Sequence, residues 1–201
     1  MCASGVRPLR LPAEDFSSRS IPVLEVGIYH LHRIHETGRA PLYFSRNDGH
    51  RFSPEKGAFA VCYFAESAET CLWERFGDEV LMPGASVARG IWFTRSVSHV
   101  RVSHLRVCDL TNADVRAACR VDLTALLHSE LAVLQAWAAS IQAHPVGFEA
   151  LKYLSRFNQQ PCVALFQKPG VPERCRVVQT HPLVSLPESD AFLASQRVAL
   201  I

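Results

Sequence analysis

Arg33, Arg51, Tyr43, Tyr63 and Glu74 punctuate the stretch from Tyr29 to Glu74. It reads Tyr29-His-Leu-His-Arg33, Pro41-Leu-Tyr43-Phe44, Arg51-Phe-Ser-Pro54, Val61-Cys-Tyr63-Phe-Ala65 and Glu69-Thr-Cys-Leu-Trp-Glu74. These polar residues fall at the ends of short apolar segments or just beyond them. Arg33 and Arg51 offer planar donor forks that match a pyrophosphate. Tyr63, and with a weaker case Tyr43, can stack on or line a pocket for an aromatic ring. Glu74 can hydrogen-bond a ribose hydroxyl and stabilise positive charge as it develops on the sugar. Phosphates, a ring and a ribose together describe a nucleotide. Each residue also has a plainer reading: ion pairs of the arginines with Glu36 or Glu55, Tyr63 as ordinary core, and Glu74 as a solvated helix glutamate.

The elements that must position these side chains follow from local patterning. Val23 to Arg33 alternates as a strand, and Glu36-Thr-Gly38-Arg is a turn. Arg46-Asn-Asp-Gly49 and Ser53-Pro-Glu-Lys-Gly57 are further turn signals, and Ala60 to Ala65 is a short apolar strand. Ser67 starts a helix carrying Glu69, Leu72, Glu74 and Phe76. Val87 to Phe93 and Val97 to Val107 read as two strands. Asp122 caps one long helix through Leu123, Leu126, Leu127, Leu131, Leu134, Trp137 and Ile141, ended by Pro145 and Gly147. Strands near 150–155 and 162–167 follow, with a last strand at 176–180 and a short helix in the tail around Asp190. Residues 1–20 read as a loosely held lead-in. Interspersed strands and helices predict an α+β fold.

Composition bounds the rest. The chain has 201 residues, 48% hydrophobic and 20% charged, which suits one globular domain with a real core. A net charge of +2 is too small to imply nucleic-acid binding or a strong membrane field. Neither a spanning apolar run nor a signal-peptide pattern is present, so a cytosolic setting is expected. The seven cysteines are scattered without a Cys-x-x-Cys pair, which favours reduced core thiols over a disulfide framework. No dinucleotide fingerprint or phosphate loop occurs, so a nucleotide here is substrate rather than redox cofactor.

From about Tyr29 to Phe166 the chain resembles the RES-domain family, named for an arginine, a glutamate and a serine. Arg33 precedes a Pro-Leu-Tyr-Phe segment, and Arg51-Phe52 matches the Arg-Phe step after it. Tyr63-Phe-Ala65 matches a Tyr-hydrophobic-Ala strand, and Glu74 closes the Glu-Thr-x-x-x-Glu helix. Tyr153-Leu-Ser155-Arg156 matches a late Tyr-x-Ser-Arg segment, with Val163-Ala-Leu-Phe166 behind it. The resemblance implies an ADP-ribosyltransferase-like fold: two small, mainly antiparallel sheets around an NAD cleft, with a few flanking helices. It implies cleavage of the nicotinamide–ribose bond of NAD, with water or phosphate as acceptor, or with a protein acceptor in a transferase. Glu74, Arg33 and Ser155 would then be catalytic, and Arg33, Tyr43, Arg51, Tyr63 and Tyr153 would bind NAD. Ser155 would hydrogen-bond the ribose or the carboxamide and help place Glu74. Many members are toxins held by an antitoxin, so an antitoxin or immunity protein is the expected partner, with homo-oligomers also open. The expected organisation is a lead-in over 1–20, a catalytic domain over 21–180 and an extension over 181–201.

Two other readings compete. His30, His32 and His35 are close enough in sequence to suggest zinc, but no His-Glu-x-x-His helix or carboxylate-rich motif accompanies them, and no metal is expected. Arg95, Arg101 and Arg106 with His99 and His104 suggest a non-enzymatic interaction module. The alternation of Val100, Val102, Leu105 and Val107 suggests instead a strand with a solvated basic face.

Overall fold

The computed structural model describes residues 8–201. Eight strands and six α-helices follow one another in this order: β1 (Leu24–Glu36), β2 (Val61–Ala65), α1 (Ala68–Leu81), β3 (Ser86–Val87), α2 (Arg89–Phe93), β4 (Arg95–Asp109), α3 (Ala113–Cys119), α4 (Leu123–His128), α5 (Leu131–Ala143), β5 (Ala150–Leu154), β6 (Pro161–Phe166), β7 (Cys175–Pro182), α6 (Pro187–Gln196) and β8 (Ala199–Leu200). The fold is α+β, as the sequence predicts.

The expectation of two small sheets is corrected. Five strands, in the order β1-β2-β6-β5-β4, close on themselves through a β1–β4 pairing, and β7 extends the sheet beside β4. Closure depends on the long β4. One edge pairs with β1 from Leu24↔Val107 to Glu36↔Arg95. Its other edge serves β7 first, over Ser96 to Val102, and then β5, over Val107 to Asp109. A register shift between His99 and Val100 falls within the β7 pairing, and a left-handed His104 (φ 51°) lies between the two duties. Most pairings are antiparallel; β4–β5 and the small β3–β8 pair are parallel.

Alternation sorts the side chains. Leu31, Cys62, Phe64, Val100, Val102, Leu105, Val107, Val163 and Leu165 pack together inside the barrel. The opposite face of β2, β5 and β6 presents Val61, Ala65, Tyr153, Cys162, Ala164 and Phe166 to Leu134, Trp137, Ala138 and Ile141 of α5. A third cluster joins Leu72 and Phe76 of α1 to Trp92 and to Phe192 of α6. Three sequence expectations change. Residues 89–93 form a helix rather than a strand, closed by Thr94 Oγ1 donating to the carbonyls of Gly90 and Ile91. The long helix capped by Asp122 is two helices broken at Ser129–Glu130, where Glu130 is extended (ψ 147°). The lead-in is held rather than loose over residues 8–20: Leu9 and Phe16 are buried, and Trp137 Nε1 donates to the Arg10 carbonyl at 2.8 Å. Residues 1–7 of that segment, Cys2 among them, lie outside the described residues. Cys62, Cys71, Cys108, Cys119 and Cys162 are buried free thiols, and Cys175 is a half-buried one.

His30 and His32 share one face of β1, and His99 on β4 lies against both. His30 Nδ1 stands 2.9 Å from His99 Nε2, and the His32 and His99 rings stack at 5.1 Å. His35 turns elsewhere, with Nδ1 donating to the Glu36 carbonyl at 2.9 Å and Nε2 2.8 Å from Ser98 Oγ. Among the described residues no His, Cys, Asp or Glu set converges as metal ligands. Burial holds the imidazoles of His32, His35 and His99 below the ordinary 6.5, and the neighbouring histidines add to this at His32 and His99. A depressed folded value means that the unfolded chain takes the proton first as the pH drops. The urea midpoint should therefore fall as the pH drops below 6.5. His32→Gln should flatten the descent below pH 6.5; an unchanged slope would remove His32 as its cause.

Candidate functional site

The helix α1 begins where Ser67 Oγ accepts from the Thr70 N–H at 3.1 Å. One face of it then receives the loop that joins β5 to β6. Asn158 Nδ2 donates to Thr70 Oγ1 at 3.2 Å, and Ser155 Oγ to Glu74 Oε1 at 2.5 Å. Arg156 Nη2 reaches both Asp78 oxygens at 2.7 Å. Thr70, Glu74, Gly77 and Asp78 recur at the helical period, so a single docking event fixes all four. Gly77 is required by the packing: a Cβ there would lie 2.5 Å from the Phe157 ring. Gly77→Ala should push Phe157 into the adjoining cavity. Overpacking of about 1–3 kcal/mol should outweigh the roughly 0.5–1 kcal/mol that alanine contributes in a helix. Thermal unfolding would register the loss, and a variant more stable than wild type would show that Phe157 can yield.

That cavity has a volume of about 660 Å³ and opens between α1, the outer face of β2 and β5, and the α4–α5 break. Arg33, Arg51, Tyr63, Glu74 and Tyr153 all line it. Leu127, Ser129 and Leu131 complete one wall, so the interruption of the long helix shapes the site. Tyr43 and Ser155 are the two predicted residues outside this wall. Tyr43 is 60% exposed and lines a second cavity beside the first. Ser155 is fully buried and stands behind Glu74 rather than in the wall. It holds the carboxylate and receives the Phe157 N–H at 3.2 Å. A direct ribose contact for Ser155 therefore has no support in this geometry.

The arginines are anchored without acid partners among the described residues. Arg33 Nη1 donates to the Tyr43 carbonyl at 2.8 Å and lies against Cys62 Sγ. Burial pushes the Cys62 thiol up to about 12, so Arg33 faces a neutral neighbour. Arg51 Nη2 donates to the Leu126 carbonyl at 3.0 Å, near the C-terminal end of α4. Its guanidinium lies over the Phe52 and Tyr153 rings, at 5.3 and 5.6 Å. Arg51 Nη1 is buried and has no partner among the described residues. The ion pairs that would have made both arginines incidental do not form: Glu36 pairs with Arg39 and Arg95, and Glu55 with Lys56.

The tyrosines serve as walls. Tyr63 Oη accepts from the Phe52 N–H at 3.2 Å and lies 3.0 Å from Ser53 Oγ, which leaves the ring as its working surface. Burial raises the phenols of Tyr63 and Tyr153, so both are neutral. Of the remaining charged groups in the wall, Asp78 is matched by Arg156 and Arg75 by Glu79 at 3.2 Å. A carboxylate held by one serine thus faces two arginines with no carboxylate of their own. The site can bind an anion and stabilise a cation at once. Sequence reasoning missed His50, Arg75, Asp78 and Phe157 in this wall. Only their neighbours in the motifs, Arg51, Glu74 and Arg156, marked the positions.

Among curated proteins no sequence matches this one. Among solved structures, a chain of the M. tuberculosis MbcT–MbcA toxin–antitoxin complex superposes with a TM-score of 0.70 at 16% identity, over 92% of this chain and 98% of that one. At that identity the likeness is one of fold. The RES domain profile matches residues 30–185, a span that holds Arg33, Arg51, Glu74 and Ser155, and the chain belongs to the RES-domain family.

Proposed function

We propose that this protein cleaves the nicotinamide–ribose bond of NAD, and that it acts as the toxin of a toxin–antitoxin pair. The observation that carries the reading is the carboxylate of Glu74, held by Ser155 with no cationic partner among the described residues, in the wall of a cavity that Arg33 and Arg51 also line without acid partners. The arginines would take the pyrophosphate. The rings of Tyr63 and Tyr153 would border the nicotinamide ribose. As the bond from C1′ to the ring nitrogen breaks, its electron pair passes to nicotinamide and cancels the ring's charge. Positive charge then develops on the ribose, where Glu74 lies ready to stabilise it. Water capturing C1′ gives ADP-ribose and a proton; phosphate gives the ribosyl phosphate. Family membership and the fold shared with a chain of a toxin–antitoxin complex support the toxin reading and an antitoxin partner.

The exposure of Glu74 favours a second reading, transfer of ADP-ribose to a protein side chain, because an open cleft admits a bulky acceptor. Purified protein incubated with NAD, with and without phosphate, should release free nicotinamide, measured by chromatography. Phosphate dependence would identify phosphorolysis. Absence of release in both conditions would remove the hydrolase and phosphorylase readings and leave the transferase.

A further inference from the structure

The cavity beside the first one, about 580 Å³ in volume, shares Arg33, Ile34, His50 and Arg75 with it, so the two form one trough with Arg33 at the junction. Its far part is basic. Arg39 and Arg95 line it beyond the Arg33 junction, where Arg75 is already matched by Glu79, and the one carboxylate in the wall, Glu36, is divided between Arg39 and Arg95 (3.1 Å to the latter). His35 contributes no free donor, since both ring nitrogens are occupied by the Glu36 carbonyl and Ser98. At the rim, Tyr43 leaves most of its ring to solvent.

We propose that this second cavity holds the adenosine half of the dinucleotide and selects one that carries a phosphomonoester on the adenosine ribose, so that NADP is the better substrate. The inference rests on the proposed NAD-cleaving reading for the direction in which the ligand lies. With the nicotinamide ribose at Glu74 and the pyrophosphate at Arg33 and Arg51, the adenosine extends past Arg33 into the basic part. The pyrophosphate is then already matched, and Arg39 and Arg95 remain beyond it with one carboxylate between them. A phosphomonoester brings close to two negative charges and three acceptor oxygens, which suit arginine forks. An unmodified ribose would leave those forks facing only Glu36 and water. Tyr43 supplies a ring for the adenine to lie against.

Calorimetric titration with 2′,5′-ADP and with 5′-ADP tests this without any bond cleavage. The wild-type protein should bind 2′,5′-ADP roughly 10- to 100-fold more tightly, the scale of one or two charge-assisted hydrogen bonds. Arg39→Ala, at an exposed position, should narrow that ratio several-fold without disturbing the fold, and adding Arg95→Ala should bring it near unity. Equal affinity for the two nucleotides, no binding of either, or a ratio unmoved by both substitutions would overturn the proposal. A strong preference for 2′,5′-ADP in a protein that releases no nicotinamide from either NAD or NADP would uphold this site and sink the hydrolase and phosphorylase readings instead.

Discussion

Glu74→Gln should lower nicotinamide release about 100- to 1,000-fold, the scale of losing a main electrostatic stabiliser of a transition state. Glutamine keeps the size of the side chain and an oxygen that can still accept from Ser155, so the docked β5–β6 loop should stay in place. Only the charge that opposes the developing cation is lost. The fall should appear in kcat with little change in KM, because the ground-state ribose is neutral. The melting temperature should be close to that of wild type, since Glu74 is exposed. Turnover near the wild-type level in a folded variant would end the assignment of Glu74. Ser155→Ala offers a contrast: the carboxylate would remain but lose its anchor, so a smaller loss is expected.

Arg51→Met should weaken dinucleotide binding by about 30- to 150-fold, equivalent to roughly 2–3 kcal/mol for a desolvated charge-assisted contact. Methionine retains an apolar stem against Phe52 and Tyr153, so packing is largely kept. What goes is the guanidinium, whose Nη2 is fixed by the Leu126 carbonyl and whose Nη1 is buried without a partner among the described residues. Lysine is expected to be a poor substitute, because one ammonium cannot hold that carbonyl and fork onto a phosphate in the same plane. Titration with NAD on the Glu74→Gln background would read affinity apart from turnover. Unchanged affinity there would mean that the orphaned nitrogen serves the fold and not a ligand.

The local signals in the sequence were reliable where a short-range rule governs. The alternation over β1 and the Ser67 cap of α1 were both legible, and Asp122 caps a helix as expected, its side chain accepting from the Ala125 N–H at 2.9 Å. The single long helix failed for a physical reason. The helices α4 and α5 bury the same side, so apolar spacing runs on across the break at Ser129–Glu130. The run from Val87 to Phe93 failed because a few apolar residues carry no usable period, and the packing of Trp92 against Phe76 decides for a helix.

The sequence alone marked Arg33, Arg51, Tyr63, Tyr153 and Glu74 among the residues that face the cavity, in an order that marks the family before any fold is seen. Which of them meet, and how, was left to the tertiary structure. Period-two alternation tells a strand which side to bury but not which strand to pair with, so the closure of β1 on β4 is invisible in it. Closure and loop docking then do what no spacing can. They place Ser155 behind Glu74 across a sequence gap of 81 residues, set Arg51 against the end of α4, and carry Tyr43 out of the first cavity to the rim of the second. Distances between residues so far apart in the chain depend on how whole elements pack, and packing is a property of the assembled core rather than of any segment.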